Sequence, residues 1–278
     1  MQKQPKFTIV TPSYNQGKFL RESLESVLNQ DYHNYEYFVV DGGSTDGSLD
    51  IIKEYSSRIN WWVSEPDGGQ SEAINKGFQK ATGDLLAWVN SDDVLFPGCL
   101  RVVSEYYMSN NKPDLIHSNI VIINKHGIIT KLLYIPRQTR FFIERGVWSV
   151  SAPASFFSNS LMKKVGYLGP KYHISMDLDM WMKMVKADGN ICYIPKYLGA
   201  FRMHEESKTV IYSMHYKSYG KYIQESDRIW KEYIPKTTKY SRNIWRYIWR
   251  VYRLINFNYI IGIIDTKLLR GKHWKSII

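Results

Sequence analysis

The chain has 278 residues, 44% hydrophobic and 15% aromatic, with 37 Lys plus Arg against 26 Asp plus Glu for a net charge of +11. That length and apolar content exclude a disordered chain or a small disulfide-stapled domain, and they suffice for one sizeable core plus an extension. Only Cys99 and Cys192 are present, both in apolar contexts that suit a reducing cytoplasm, while the N-terminus shows no signal-like apolar region and no run of about 18 apolar residues suggests a membrane span.

Residues 7–10 read as a strand that ends in Thr11, Pro12, Ser13, Tyr14 and Asn15, followed by an amphipathic helix with Leu20, Leu24, Val27 and Leu28 on one face. The pattern repeats. Residues 37–40 end in Asp41, Gly42, Gly43 and Ser44 before a helix carrying Ile51 and Ile52, and residues 59–63 end in Pro66, Asp67, Gly68 and Gly69 before one carrying Ala73, Ile74 and Phe78. A fourth strand over 85–89 ends in Asn90, Ser91, Asp92 and Asp93, ahead of a turn at Pro97 and Gly98. Strands alternating with helices predict a parallel sheet with right-handed crossovers, so every polar turn lies on one edge, where open α/β sheets bind ligands. A dinucleotide-binding dehydrogenase fits poorly, because no strand is followed by G-x-G-x-x-G.

Adjacent carboxylates such as Asp92 and Asp93 repel unless a cation sits beside them, and a divalent ion bridging to phosphate oxygens is one solution. The other reading is an Asp-rich cap for a helix starting near Pro97. Further on, Ser175, Met180, Trp181 and Met184 open an amphipathic helix whose Asp177 suits either a cap or a base. Residues 190–194 form a strand before Phe201, Arg202 and His204.

Charge is concentrated in residues 211–278, which hold 14 Lys plus Arg and 4 Asp plus Glu, a net of +10. Arg242, Arg246, Arg250 and Arg253 recur at helical spacing, with Ile244, Ile248, Val251 and Ile255 on another side and Trp245, Trp249 and Tyr252 between. A basic amphipathic helix with aromatic flanks predicts attachment to an anionic membrane surface. The alternative is packing onto the rest of the chain or a second subunit. Nucleic acid is the weaker partner, since no nucleic-acid motif accompanies the charge.

TPSYN, VVDGGSTDGS, EPDGGQSEAINKG and NSDD, in this order, resemble family-2 glycosyltransferases of the GT-A fold. SMDLDMWMKM and FRMHEES are similar to that family's acceptor-side and late Arg-x-His segments, so the resemblance spans about residues 7–207. It implies an α/β GT-A catalytic domain over 1–210, with a nucleotide-sugar half of about 1–110 and an acceptor half of about 111–210, and a helical basic tail over 211–278. It also implies inverting, metal-dependent transfer of one sugar from a nucleotide-diphosphate donor, UDP-linked, to a saccharide. A lipid-linked acceptor in bacterial surface-polysaccharide assembly would suit a membrane-attached tail.

By the same resemblance, Thr11, Pro12 and Tyr14 frame the base and ribose, Asp41 accepts from the base, and Asp67 adds a base or ribose contact beside Gly69. Asn90 touches the ribose or a metal-bound water, standing where the family commonly has Asp, and Ser91 beside it is a further nucleotide-binding residue. Asp92 is implied as the direct ligand of Mn²⁺ or Mg²⁺, with Asp93 and His204 as further ligands, and Arg202 as a fork to the diphosphate. Lys76 is a diphosphate candidate, set against a solvated surface charge. Asp177 is implied as the base, with Asp179 the secondary candidate, and Met176 replaces the family's usual Glu. Acceptor specificity is expected in 112–169, with Trp148 a platform for a sugar face and Phe156 core. Two alternatives stay open: a non-catalytic nucleotide-sugar binding or scaffold protein and, less favoured, a processive synthase, whose transmembrane helices and Q-x-x-R-W signature are missing.

Overall fold

Every residue of β1 (Phe7–Ser13) is buried, as a strand with helices on both faces must be. In this computed structural model, which describes residues 3–150, 152–208, 210–211 and 216–277, β1 lies between two parallel neighbours, β2 (Tyr35–Asp41) and β4 (Leu85–Trp88). Strand β3 (Trp61–Ser64) pairs in parallel outside β2. Helices α1 (Gly17–Leu28), α2 (Ser48–Glu54) and α3 (Gln70–Lys80) supply the crossovers. α3 presses so closely on β1 that a Cβ on Gly77 would fall 2.6 Å from Val10 Cγ2, an approach only glycine permits. The turns after all four strands therefore share one edge of the sheet.

Beyond β4 the sheet becomes mixed. Its order is β3-β2-β1-β4-β8-β6-β9-β5, where β5 is Val94–Leu95, β6 Leu115–Asn124, β8 Phe156–Ser158 and β9 Ile191–Met203. β7 (Ile129–Leu133) pairs antiparallel with β6, and Val121 faces Leu132 in the expected hairpin. β9 runs nine residues past the 190–194 stretch, parallel to β6, and then pairs antiparallel with β5 through Val94 and Ala200. That short pairing carries Arg202 and His204 to the turn that follows β4.

The core on one face is built around aromatic rings. Trp88 stacks on Phe157 at 5.4 Å between centroids, Phe157 meets Trp181 of α7 (Met176–Lys186) at 4.9 Å, and Trp148 packs on Trp181 at 5.6 Å. Burial of each such ring contributes about 1.5–3 kcal/mol. Trp148 thus packs on the core, and Phe156 is buried as expected. The remaining helices are α4 (Cys99–Ser109), α5 (Arg140–Ile143), α6 (Asn159–Val165), α8 (Tyr216–Tyr233), α9 (Lys239–Ile255) and α10 (Asn258–Leu269).

Residue 210 is not a packing boundary, because Ile229 and Trp230 of α8 are buried in the same cluster as Trp181. α8 therefore packs as part of the catalytic core. Among the described residues no helix is long and apolar enough to cross a membrane.

Candidate active site

A cleft of about 790 Å³ opens at the shared edge of the parallel strands, within the size range of small-molecule sites. Its walls include Pro12, Tyr14, Gly42, Asp67, Gly69, Asn90, Ser91, Asp92 and Asp177. Thr11, Asp41, Lys76, Asp93, Asp179, Arg202 and His204, also expected here, lie outside the lining.

At one end, Tyr14 stands 63% exposed on the turn after β1. A Cβ on Gly42 would lie 3.3 Å from Tyr14 Cδ2 and 3.2 Å from Asp67 Oδ2, so the missing side chain leaves a slot between ring and carboxylate. The Gly69 N–H donates to Asp67 Oδ1 at 2.8 Å and fixes that carboxylate. Asp41, expected to face the base, is instead fully buried. Its Oδ2 accepts from the N–H groups of Gly43 and Ser44 and from Ser64 Oγ, and its Oδ1 accepts from Ser44 Oγ. It organises the Gly-Gly-Ser turn. Thr11 is likewise turned into the sheet, sharing a 2.7 Å hydrogen bond with the Tyr37 hydroxyl.

At the middle of the cleft, Asp92 Oδ2 lies 3.0 Å from Nε2 of the buried His204. The imidazole is held at 4.5 Å from the Phe19 ring. Asp93 points the other way: it has no exposed surface, accepting from the Arg202 backbone N–H at 3.0 Å and from Asn90 Nδ2 at 2.8 Å. Burial and the neighbouring Asp92 push its carboxyl well above the usual carboxylate range. The structure thus gives Asp93 an anchoring place between β9 and the turn and not one facing the cleft. A cap role is not realised either, since α4 starts after Gly98 without a side-chain cap.

Arg202 is 1% exposed. Its Nε donates to the Asp92 carbonyl at 2.8 Å, and its guanidinium pairs with Glu22. Glu22 also accepts from Trp274 Nε1 at 2.7 Å. The expected fork to a diphosphate is therefore replaced by a buried brace behind Asp92, closed by the last turn of the chain. Lys76 is tied outside the cleft to Glu65 at 2.9 Å and Glu72 at 3.3 Å.

Among the described residues a cation lines the cleft at Lys208, directly after the His204 segment, where nothing in the sequence pattern distinguishes it from a surface lysine. Its ammonium donates to Gln70 Oε1 at 2.8 Å, Gln70 Nε2 donates to Asn90 Oδ1 at 2.7 Å, and Asn90 passes the chain to Asp93. Two amides thus connect a cation to a buried carboxylate with every donor and acceptor matched. Desolvation pulls the Lys208 ammonium below its ordinary value, opposed by Asp92 and Glu225.

At the far side, Asp177 sits in the first turn of α7, and the N–H of its neighbour Leu178 donates to Oδ1 at 2.7 Å. Burial raises its carboxyl above the usual range. The turn before it is held from outside: Glu225 of α8 accepts from the N–H groups of His173, Ile174 and Ser175 at 3.3, 3.0 and 3.0 Å. Met176 receives a hydrogen bond from Ser71 Oγ at 2.9 Å to its sulfur. Asp179 is taken up by Lys183 at 3.1 Å and the Tyr233 hydroxyl at 2.9 Å, which removes it from the cleft.

Asp92 and His204 fit a divalent cation as a carboxylate and an imidazole converging on one point. Among the described residues no third His, Cys, Asp or Glu joins them, which leaves further ligand positions to phosphate oxygens and water.

The family model described as glycosyl transferase family 2 matches residues 8–166. A glycosyltransferase of Methanocaldococcus jannaschii is 25% identical over 269 residues, covering 93% of this chain and 89% of that protein. One of Rickettsia typhi is 23% identical over 84% of this chain and 73% of its own length. For a longer glycosyltransferase of Rickettsia felis, 24% identical over 84% of this chain, the chain spans only 39% of that protein. Among solved structures, S. aureus TarS in complex with UDP-GlcNAc superposes with a TM-score of 0.62 at 20% identity, over 82% of this chain and 71% of that one. A Pyrobaculum calidifontis mannosyltransferase in complex with GDP-Man and Mn²⁺ gives 0.57 at 15% identity, over 80% and 65%.

Proposed function

Because the chain belongs to glycosyl transferase family 2, we propose that it transfers one sugar, with inversion, from a UDP-linked donor to a saccharide acceptor. Its sheet is the GT-A fold. The observation that carries the reading is that one cleft holds Tyr14, Asp67, Asp92 and Asp177 together, with the buried His204 hydrogen-bonded to Asp92.

In this reading the base stacks on Tyr14 in the slot opened by Gly42, and Asp67 accepts from base or ribose. Lys208 faces the diphosphate as a positive charge. Asp92 and His204 hold Mn²⁺ or Mg²⁺, which when bound neutralises charge on the departing diphosphate. Asp177 accepts the proton of the acceptor hydroxyl as that oxygen attacks the anomeric carbon from the face opposite the nucleotide. Its raised affinity for a proton suits it to that task.

The acceptor side is built by 112–169 and α7, and a lipid-linked saccharide is the acceptor class that suits a chain whose charge is gathered at its C-terminal end. We place the reaction in cell-surface polysaccharide assembly at the inner face of the plasma membrane. A non-catalytic binding role draws on Asn90 and Met176, yet Asn90 is fully hydrogen-bonded within the cleft wall and Asp177 lines the cleft. Nucleotide release from UDP-sugars with a saccharide acceptor tests the proposal: turnover lost in Asp177→Asn supports it, and binding without turnover in the wild type would overturn it.

A further inference from the structure

Part of the α9 surface expected to meet a membrane is used inside the protein. Trp249 is buried, 4.5 Å from the Phe142 ring, and donates to Ser149 Oγ at 3.1 Å. Arg242 is buried in an ion pair with Asp227 at 2.6 Å, and Arg253 donates to the Tyr134 carbonyl at 3.1 Å. Trp245 packs edge-on to Phe141, and Arg145 lies over both rings. These contacts fix the rotation of α9 against the catalytic portion.

They also leave its aliphatic side uncovered. Ile244, Ile248, Val251 and Ile255 are spaced by four, three and four residues, so at about 100° per residue they form one narrow stripe, and all four are exposed. α10 adds Ile260, Ile263 and Ile264, likewise exposed, while its opposite side sits on β7 through Gly262 and a 2.9 Å hydrogen bond from Leu132 N–H to Thr266 Oγ1. Seven exposed Ile and Val side chains on two consecutive helices exceed the scattered exposed residues that are normal on a monomer.

We infer that this α9–α10 face inserts into an anionic lipid surface. Charge decides the occupant. Residues 236–278 hold ten Lys plus Arg and one acidic residue, Asp265, which accepts from the Tyr197 hydroxyl at 2.7 Å. Arg246, Arg250, Lys267 and Arg270 remain exposed around the apolar stripe. A second copy of the chain would bring the same cations against its own. Anionic headgroups above an acyl boundary complement both the cations and the aliphatic stripe. The inference keeps the membrane attachment read from the sequence but narrows its contact surface to the aliphatic side of α9 and adds α10; it rests on the membrane location proposed above and is independent of the glycosyl-transfer chemistry.

The test is flotation of the full chain with phosphatidylcholine vesicles and with mixed phosphatidylcholine–phosphatidylglycerol vesicles, comparing wild type, Ile248→Glu/Ile263→Glu and Arg246→Glu/Arg250→Glu. Wild type should float with the mixed vesicles. Both variants should lose binding by roughly tenfold or more, with melting temperature and nucleotide binding unchanged because these side chains are exposed. Wild type that stays in the soluble fraction, or wild type and Ile248→Glu/Ile263→Glu floating alike, would overturn the inference. So would a concentration-dependent dimer that the aliphatic variant dissolves while vesicle binding persists, since that assigns the face to a second copy.

Discussion

Asn90 Nδ2 donates to Asp93 Oδ2 at 2.8 Å, inside the wall of the cleft. Asn90→Asp removes the Nδ2 donor and sets a second carboxyl beside a buried one whose proton affinity is already raised. Asn90→Asp, although it restores the residue commonest in the family, should therefore destabilise the protein by about 2–3 kcal/mol and weaken nucleotide binding. Thermal unfolding of the two proteins checks it, and equal melting temperatures with improved binding would contradict it.

Lys208 and Gln70 share the same chain of bonds at the cleft mouth. Lys208→Met should weaken binding of a nucleoside diphosphate by roughly tenfold, the scale of one charge-assisted hydrogen bond, and leave the nucleoside alone unaffected. Lys208→Arg should recover part of the loss. Titrations with UDP, UMP and uridine measure both, and equal losses for all three ligands would show a merely structural role.

Glu225 gathers three backbone N–H groups just before Asp177. Glu225→Ala leaves those donors without their partner and should cost about 2–3 kcal/mol. It should also lower kcat while KM for the donor stays near its wild-type value, because the donor end of the cleft is untouched. Glu225→Gln, which keeps an acceptor oxygen, should restore most of kcat.

Asp177 carries a pH signature with a definite sign. Burial raises its folded-state pKa, so the stability it contributes is present at low pH and lost as pH rises through that value. Asp177→Asn should accordingly melt no lower than wild type at neutral pH while losing activity by about 10²–10⁴-fold. Wild-type kcat/KM should fall on the acid side at a pH above the ordinary carboxylate range. Rate–pH profiles and calorimetry of the pair decide it.

The strand-and-turn rhythm of the first half was legible because alternation of apolar runs and helices fixes both the sheet and the edge its turns share. What the chain order does not reveal is which way each polar side chain points within a turn. Asp41 and Asp67 look alike in the sequence, yet one is spent on Ser44 and Ser64 and the other faces the slot beside Tyr14. Arg202 is hidden by a pairing with Glu22 that lies 180 residues away and is closed by Trp274. For the same reason the α9 arginines and tryptophans suggested an outer face, since helical spacing identifies two sides without saying which one meets α5.

The central claim, a nucleotide-diphosphate site organised by Asp92 and His204, is tested most directly by calorimetric binding of UDP, GDP, CDP and dTDP, each with and without Mn²⁺, to wild type, Asp92→Ala and His204→Ala. The account predicts selective binding of UDP that Mn²⁺ tightens, with the metal effect abolished in both variants. Binding indifferent to Mn²⁺ in the wild type, or a metal effect that survives in both variants, would contradict it.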